Sequence, residues 1–256
     1  MTDNHIISIR DTVKMTSILT LLILGAYVQD SHFTMLAFWW TLTLLILGNV
    51  RRISYAGSIP YFVRMTLYFL PYALPVLFVG GISNTVNSKV LYSCIVALLF
   101  FAFWVVLNRK SIKIMISNQF IAESAKESRY KIGLHVYNLM GAAICEEMFF
   151  RQYILKLNGH IIVLSIISVV FFVLSHWLLP WGQRFSANDL MNQALFGIVS
   201  VLLFIYSDSI IPCLVLHFSV NLISIIKYAK IYDRHYVRVE KYDKLLCPQA
   251  YPELDL

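Results

Sequence analysis

Residues 161–181 read IIVLSIISVVFFVLSHWLLPW, a run without a lysine, arginine, aspartate or glutamate. A bilayer-spanning helix needs about 20 predominantly apolar residues, with a range of about 17–25. This run meets that length and carries one ionisable group, His176. Outward from it, seven further apolar runs can be marked. The eight together lie at roughly 15–29, 33–50, 60–82, 90–108, 133–156, 161–181, 190–206 and 209–229. The first is short and the seventh marginal for a span. Pro71 and Pro75 predict a kink in the third, tolerable where neighbouring helices cover the freed carbonyls. The fold expected is all-α, a polytopic transmembrane bundle of about eight helices.

Composition agrees with that reading. Of 256 residues, 59% are hydrophobic and 14% charged, where a soluble domain carries about 25% charged residues. Mean hydropathy is +0.69. The chain is expected to form a single integral membrane domain over 1–256, with a functional core at about 133–229 and a short cytoplasmic tail at about 230–256. The run after Arg10 and Lys14 lacks a convincing small-x-small cleavage site, so it reads as a retained signal-anchor helix.

The net charge of +7 raises nucleic acid as a partner, but the basic residues form no patch interleaved with aromatics. They sit between the apolar runs instead. With the N-terminus inside, 18 of the 21 fall on cytoplasmic segments, Arg64, Arg184, Lys241 and Lys244 among them. Only Lys89 and Lys156 fall outside, and Arg151 lies within the fifth span. That asymmetry predicts an N-in, C-in topology. The partners expected are membrane lipid and no nucleic acid. Oligomeric state is not readable from the sequence. Cys94, Cys145, Cys213 and Cys247 form no CxxC pair and no zinc spacing. Cys247 is not in a prenylation box.

Ionisable groups inside the spans are few: Glu146, Glu147 and Arg151 in the fifth, His176 in the sixth, His217 in the eighth with Asn221 beside it. A central charge costs about 2.5–3.5 kcal/mol on the insertion scale, so such residues need partners and mark function by default. Glu147 and Arg151, four apart, share a helix face and predict a salt bridge. Glu146 points about 100° away, and its i+3 and i+4 neighbours are Phe149 and Phe150. Its partner must come from another helix, and His176 and His217 are the candidates. His217 and Asn221 again stand four apart on one face. A carboxylate, two imidazoles and a carboxamide at compatible depths form a hydrolytic set: a general base toward water and donors for an oxyanion. His5, His32, His135, His160 and His235 fall in tails or near span ends and carry no such expectation.

Glu146-Glu147-x-x-x-Arg151, Phe172-x-x-x-His176 and His217-x-x-x-Asn221, in order over residues 146–221, resemble the three motifs of the CAAX protease and bacteriocin-processing family. That family is also called Abi, and it includes the Ras-converting type of CAAX endoprotease. The resemblance implies a glutamate-dependent intramembrane endopeptidase acting on a membrane-associated or lipidated peptide. It implies that Glu146 with His176 activates water and that His217 and Asn221 form or support the oxyanion hole. Glu147 and Arg151 would hold the site together, with Phe172 in support. Bacterial members are linked to peptide processing, signalling and bacteriocin self-immunity. The short chain looks like one of these, which would place it in a bacterial inner membrane.

Other readings stay open. No cofactor is expected, but Glu146, His176 and His217 are a zinc-type ligand set. The same fold can serve as a non-catalytic scaffold or immunity protein, its polar set tying helices together. A proton-coupled transporter lacks the inverted repeat it would need. Cys145 as nucleophile sits beside a carboxylate, the reverse of an activating environment.

Overall fold

The computed structural model describes residues 9–28, 31–53, 57–78, 87–178 and 186–238. Arg184, Lys241 and Lys244 of the charge pattern, with His5 and Cys247, lie outside these residues. The described chain is built of helices. They are α1 (Ile9–Val28), α2 (Ser31–Asn49), α3 (Ser58–Leu67), α4 (Leu70–Ala73), α5 (Ser88–Leu107), α6 (Arg109–Met115), α7 (Asn118–Glu123), α8 (Arg129–Glu147), α9 (Ile161–Leu178), α10 (Ala187–Ser207) and α11 (Ile211–Tyr232). Each of the eight apolar runs holds at least one of them. The chain is an integral membrane protein, with five helical stretches long and apolar enough to cross a bilayer: Ser31–Arg52, Ser88–Leu107, Ile161–Leu178, Ala187–Ser207 and Ile211–Val237.

The other three expected spans differ for visible reasons. The first turns of α1 carry Arg10, Asp11 and Lys14. The third run breaks into α3 and α4, followed by a 3-10 turn at Leu74–Phe78. Proline clashes with the carbonyl four residues back, and four before Pro71 is Leu67, the last residue of α3. The fifth run stays helical but changes type: after α8 comes a π-helical segment, Met148–Tyr153, and then a 3-10 turn, Ile154–Lys156. A π segment inside a helix often marks a functional site, and this one follows directly on Glu147.

Two boundaries move. The α11 helix continues past residue 229 to Tyr232 and on through a π turn at Asp233–Arg238, so the start of the expected tail is helical. The connection before α8 holds two short helices, α6 and α7, each anchored by one buried isoleucine, Ile112 and Ile121. The charged stretch 123–131 becomes the end of α7, an extended connection, and the first turn of α8 capped by Ser128.

The α8 helix packs against α11 and against α3 and α4. The α9 helix packs on α10, and α5 packs on α11 and α10. Gly141 permits the close approach of α8 to the α3–α4 break: a Cβ there would lie 2.5 Å from the Phe69 ring. An aromatic core fills the space beside α8. Trp40 of α2 is fully buried, its ring 4.5 Å from Phe171 and 6.4 Å from Phe149, and its indole N–H donates to Ser17 of α1. Arg64, counted among the cytoplasmic-side charges, is buried. Its guanidinium donates to the carbonyls of Arg51 and Ile53 and to the Tyr68 hydroxyl, clamping the connection into α3.

Candidate active site

The last turn of α8 turns two adjacent carboxylates into different surroundings. Glu147 points between α10 and α11 and is fully buried. Its Oε1 accepts from His217 Nδ1 at 2.8 Å, and its Oε2 accepts from Ser200 Oγ at 2.9 Å. Arg151 Nε stands 3.2 Å from the same Oε2, the ion pair expected from the four-residue spacing. Arg151 is itself fully buried. Its Nη2 donates to Gly197 O at 3.4 Å, and its guanidinium lies 4.8 Å from the Phe172 ring centre. A buried ion pair holds only where added hydrogen bonds offset the loss of hydration. Here Ser200, His217 and Gly197 supply them.

Glu146 takes the other direction. Its Oε2 stands 3.9 Å from His176 Nε2, and the two side chains keep 13% and 15% of their accessibility, where Glu147 and Arg151 keep none. Among the described residues Glu146 Oε2 meets no hydrogen-bond donor. His176 Nδ1 lies 2.8 Å from the carbonyl of Phe172, one turn back on α9. A carbonyl only accepts, so Nδ1 carries a proton, and Nε2 is the nitrogen that faces Glu146. Ser175 Oγ donates to the same carbonyl and lies 3.2 Å from Nδ1. Phe172 packs its ring 4.7 Å from His176 and 5.3 Å from Phe196.

The structure therefore joins Glu146 with His176, and Glu147 with Arg151 and His217. His217 and Asn221 have their direct partners elsewhere than at Glu146. An ionised Glu147 only accepts, so His217 Nδ1 donates to it, and Nε2 can donate to an oxyanion only when the ring is protonated. Asn221 Nδ2 donates to Leu139 O at 2.9 Å, tying α11 to α8, and a second amide hydrogen remains. Ser200, Gly197 and Ser175 carried no sequence signal, since a lone small residue in an apolar helix has no readable partner. Tyr72, buried at the α4 end, lies within electrostatic reach of Glu146 and Ser175 and was also unforeseen. Cys145 is buried. Among the described residues no three His, Cys, Asp or Glu side chains gather closely enough to hold a metal ion.

Residues 128–223 match the family described as type II CAAX prenyl endopeptidase Rce1-like. No curated protein and no solved structure matches the chain. The matched stretch begins at the cap of α8 and ends in α11, so it takes in both carboxylates and every group that touches them across α9, α10 and α11. Through this core, residues 128–223, the chain is similar to that endopeptidase family.

Proposed function

We propose that the protein is a glutamate-dependent intramembrane endopeptidase in which Glu146 and His176 together activate a water. The observation that carries this is the Glu146–His176 pair itself. Its 3.9 Å separation exceeds a direct hydrogen bond and is a span one water can bridge. Both side chains keep part of their accessibility, while Glu146 Oε2 itself is buried beside His176. Glu147, by contrast, is occupied on both oxygens.

In this reading a water held between Glu146 and the Nε2 lone pair of His176 loses a proton to the pair as its oxygen attacks the peptide carbonyl. The proton is then delivered to the leaving amine. Donors for the developing oxyanion come from protonated His217 Nε2 or the second amide hydrogen of Asn221. The buried Glu147–Arg151–His217–Ser200 set holds α8, α10 and α11 in register around that geometry. The substrate class proposed is a peptide bond in a membrane-associated or lipidated peptide, and the location proposed is a bacterial inner membrane.

One observation favours a second reading. Much of the polar set is consumed in tying helices together, as in a non-catalytic scaffold or bacteriocin self-immunity protein of the same fold. The deciding experiment compares wild type with Glu146→Gln in nanodiscs, using a pool of lipidated and membrane-derived peptides read by mass spectrometry, with matched thermal unfolding. Products from wild type alone support the endopeptidase, and persistence under chelation supports the metal-free form. Equal products from both proteins overturn the assignment of Glu146. Intact cellular function in Glu146→Gln favours the scaffold.

A further inference from the structure

A water-activating pair inside a bilayer needs a supply of water, and one face of α8 carries polar or small side chains from its first turn to the pair. Lys131, His135, Asn138, Ala142 and Glu146 follow one another at four, three, four and four residues, the spacing that keeps side chains on one helix face. All five residues are partly buried, and the oxygens Asn138 Oδ1 and Glu146 Oε2 are themselves closed off, as a shut gate requires. The lipid side of the helix is different: Met140 and Ile144 are exposed and apolar.

Asn138 gives the strongest indication. Its Oδ1 is buried and meets no hydrogen-bond donor among the described residues. An amide oxygen withdrawn from bulk water with no protein donor costs free energy, and an isolated asparagine gains nothing by lying there unless water reaches it. The facing stripe on α11 is of the same kind, since His217, Asn221, Ser224 and Tyr228 recur at helical spacing opposite α8.

At the Arg129 end the stripe is closed by one ring. His135 Nε2 lies 3.1 Å from Glu127 Oε2, and the imidazole stacks on Tyr228 at 4.9 Å with its planes 11° apart. Tyr61 of α3 meets the same ring edge-on. Lys131 sits over Tyr61 and Lys227 over Tyr228, so two cations flank the His135–Glu127 contact. Glu127 belongs to the extended connection before α8 rather than to a helix, so it can withdraw without unwinding a span.

We propose that the α8 stripe is the route by which water reaches Glu146, with Asn138 as its midway hydration point and the Glu127–His135 contact as its gate. The proposal rests on the assignment of Glu146 as the water-activating group, but its test does not depend on proteolysis. Ala142→Cys places a thiol one turn short of Glu146. In nanodiscs, its reaction with an anionic, membrane-impermeant methanethiosulfonate is followed against Met140→Cys and Ile144→Cys on the lipid face. Modification is read residue by residue by mass spectrometry, so the native cysteines stay in place, and thermal unfolding confirms that each variant folds.

The expected result is labelling at position 142 at least tenfold faster than at 140 or 144. In the Ala142→Cys background, Asn138→Leu should slow labelling about tenfold and His135→Ala should speed it severalfold. Labelling at 142 no faster than at 140 and 144 overturns the route. An unchanged rate with His135→Ala overturns the gate. Rapid labelling of a protein that cleaves nothing keeps the route and counts against the endopeptidase, whereas cleavage without labelling does the reverse.

Discussion

Glu147 Oε1 and His217 Nδ1 lie 2.8 Å apart and join the end of α8 to α11 across 70 residues of sequence. With Arg151 on its other oxygen, Glu147 is the counter-charge of a fully buried guanidinium. Glu147→Gln removes that charge and leaves Arg151 uncompensated, at a cost of about 3–5 kcal/mol. Glu146→Gln removes a group that is partly accessible and touches no cation as closely. Thermal unfolding in one detergent should therefore show a large loss for Glu147→Gln and a small one for Glu146→Gln. Equal losses would mean that the two carboxylates do not divide the work this way.

Ser200 contributes the remaining hydrogen bond to Glu147 from α10. Ser200→Ala leaves the carboxylate with one donor fewer in a site closed to water, which costs about 1–3 kcal/mol. The same unfolding measurement checks it, and Ser200→Thr should restore part of the loss.

His176 is held by the Phe172 carbonyl with Nε2 toward Glu146. If it shares the water, His176→Ala should lower kcat by about 10²–10⁴-fold, the usual contribution of a general base. The change in KM should be much smaller. A variant whose KM rises while kcat holds would make His176 a binding residue.

Two helical glycines should respond oppositely to alanine. At Gly141 the new methyl would meet the buried Phe69 ring at 2.5 Å, and overpacking of this kind costs about 1–3 kcal/mol. At Gly197 the nearest atoms lie at 3.5 Å, an ordinary contact, so Gly197→Ala should be neutral or gain up to about 1 kcal/mol from helix propensity. Unfolding of the two variants in parallel tests the packing of α8 on the α3–α4 break.

The opposite end of the bundle from His135 offers a contrast in magnitude. Lys156 meets Asp208 at 2.5 Å, but both are substantially exposed. Pairs of that kind contribute about 0–1 kcal/mol. Lys156→Ala should shift unfolding far less than Glu147→Gln, although both break an ion pair.

What could be read in advance follows from the range of the interactions involved. Apolar length marks a helix locally, so all eight runs were visible, and the Glu147–Arg151 pair was visible because four residues make one turn. That Glu146 must find a partner off its own helix followed from Phe149 and Phe150 occupying its near positions. The proline at 71 announced a disturbance, though its place at Leu67 needed the clash four residues back. Nothing local could tell which carboxylate His217 would meet, because that depends on how α11 is rotated against α8. Nor could periodicity foresee the π segment after Glu147, or that Ser200 rather than another serine faces the pair. The acceptors of Arg64 could not be read in advance because they are backbone carbonyls, which look the same in every sequence.

The long-range hydrogen bond between Glu147 and His217 also sets an order of events in synthesis. Glu147 and Arg151 emerge well before the residues that complete their shell, and His217 follows Glu147 by roughly 4–14 s at about 5–20 residues per second. During that interval Glu147 and Arg151 have only each other, without the hydrogen bonds from Ser200, Gly197 and His217, and a central charge costs about 2.5–3.5 kcal/mol in the bilayer. A nascent chain arrested before Ile211 should therefore hold α8 outside the hydrocarbon, accessible to added protease, and admit it only when α11 has been made. A later helix would then license the insertion of an earlier one, so the site can be assembled only after α11 has been made.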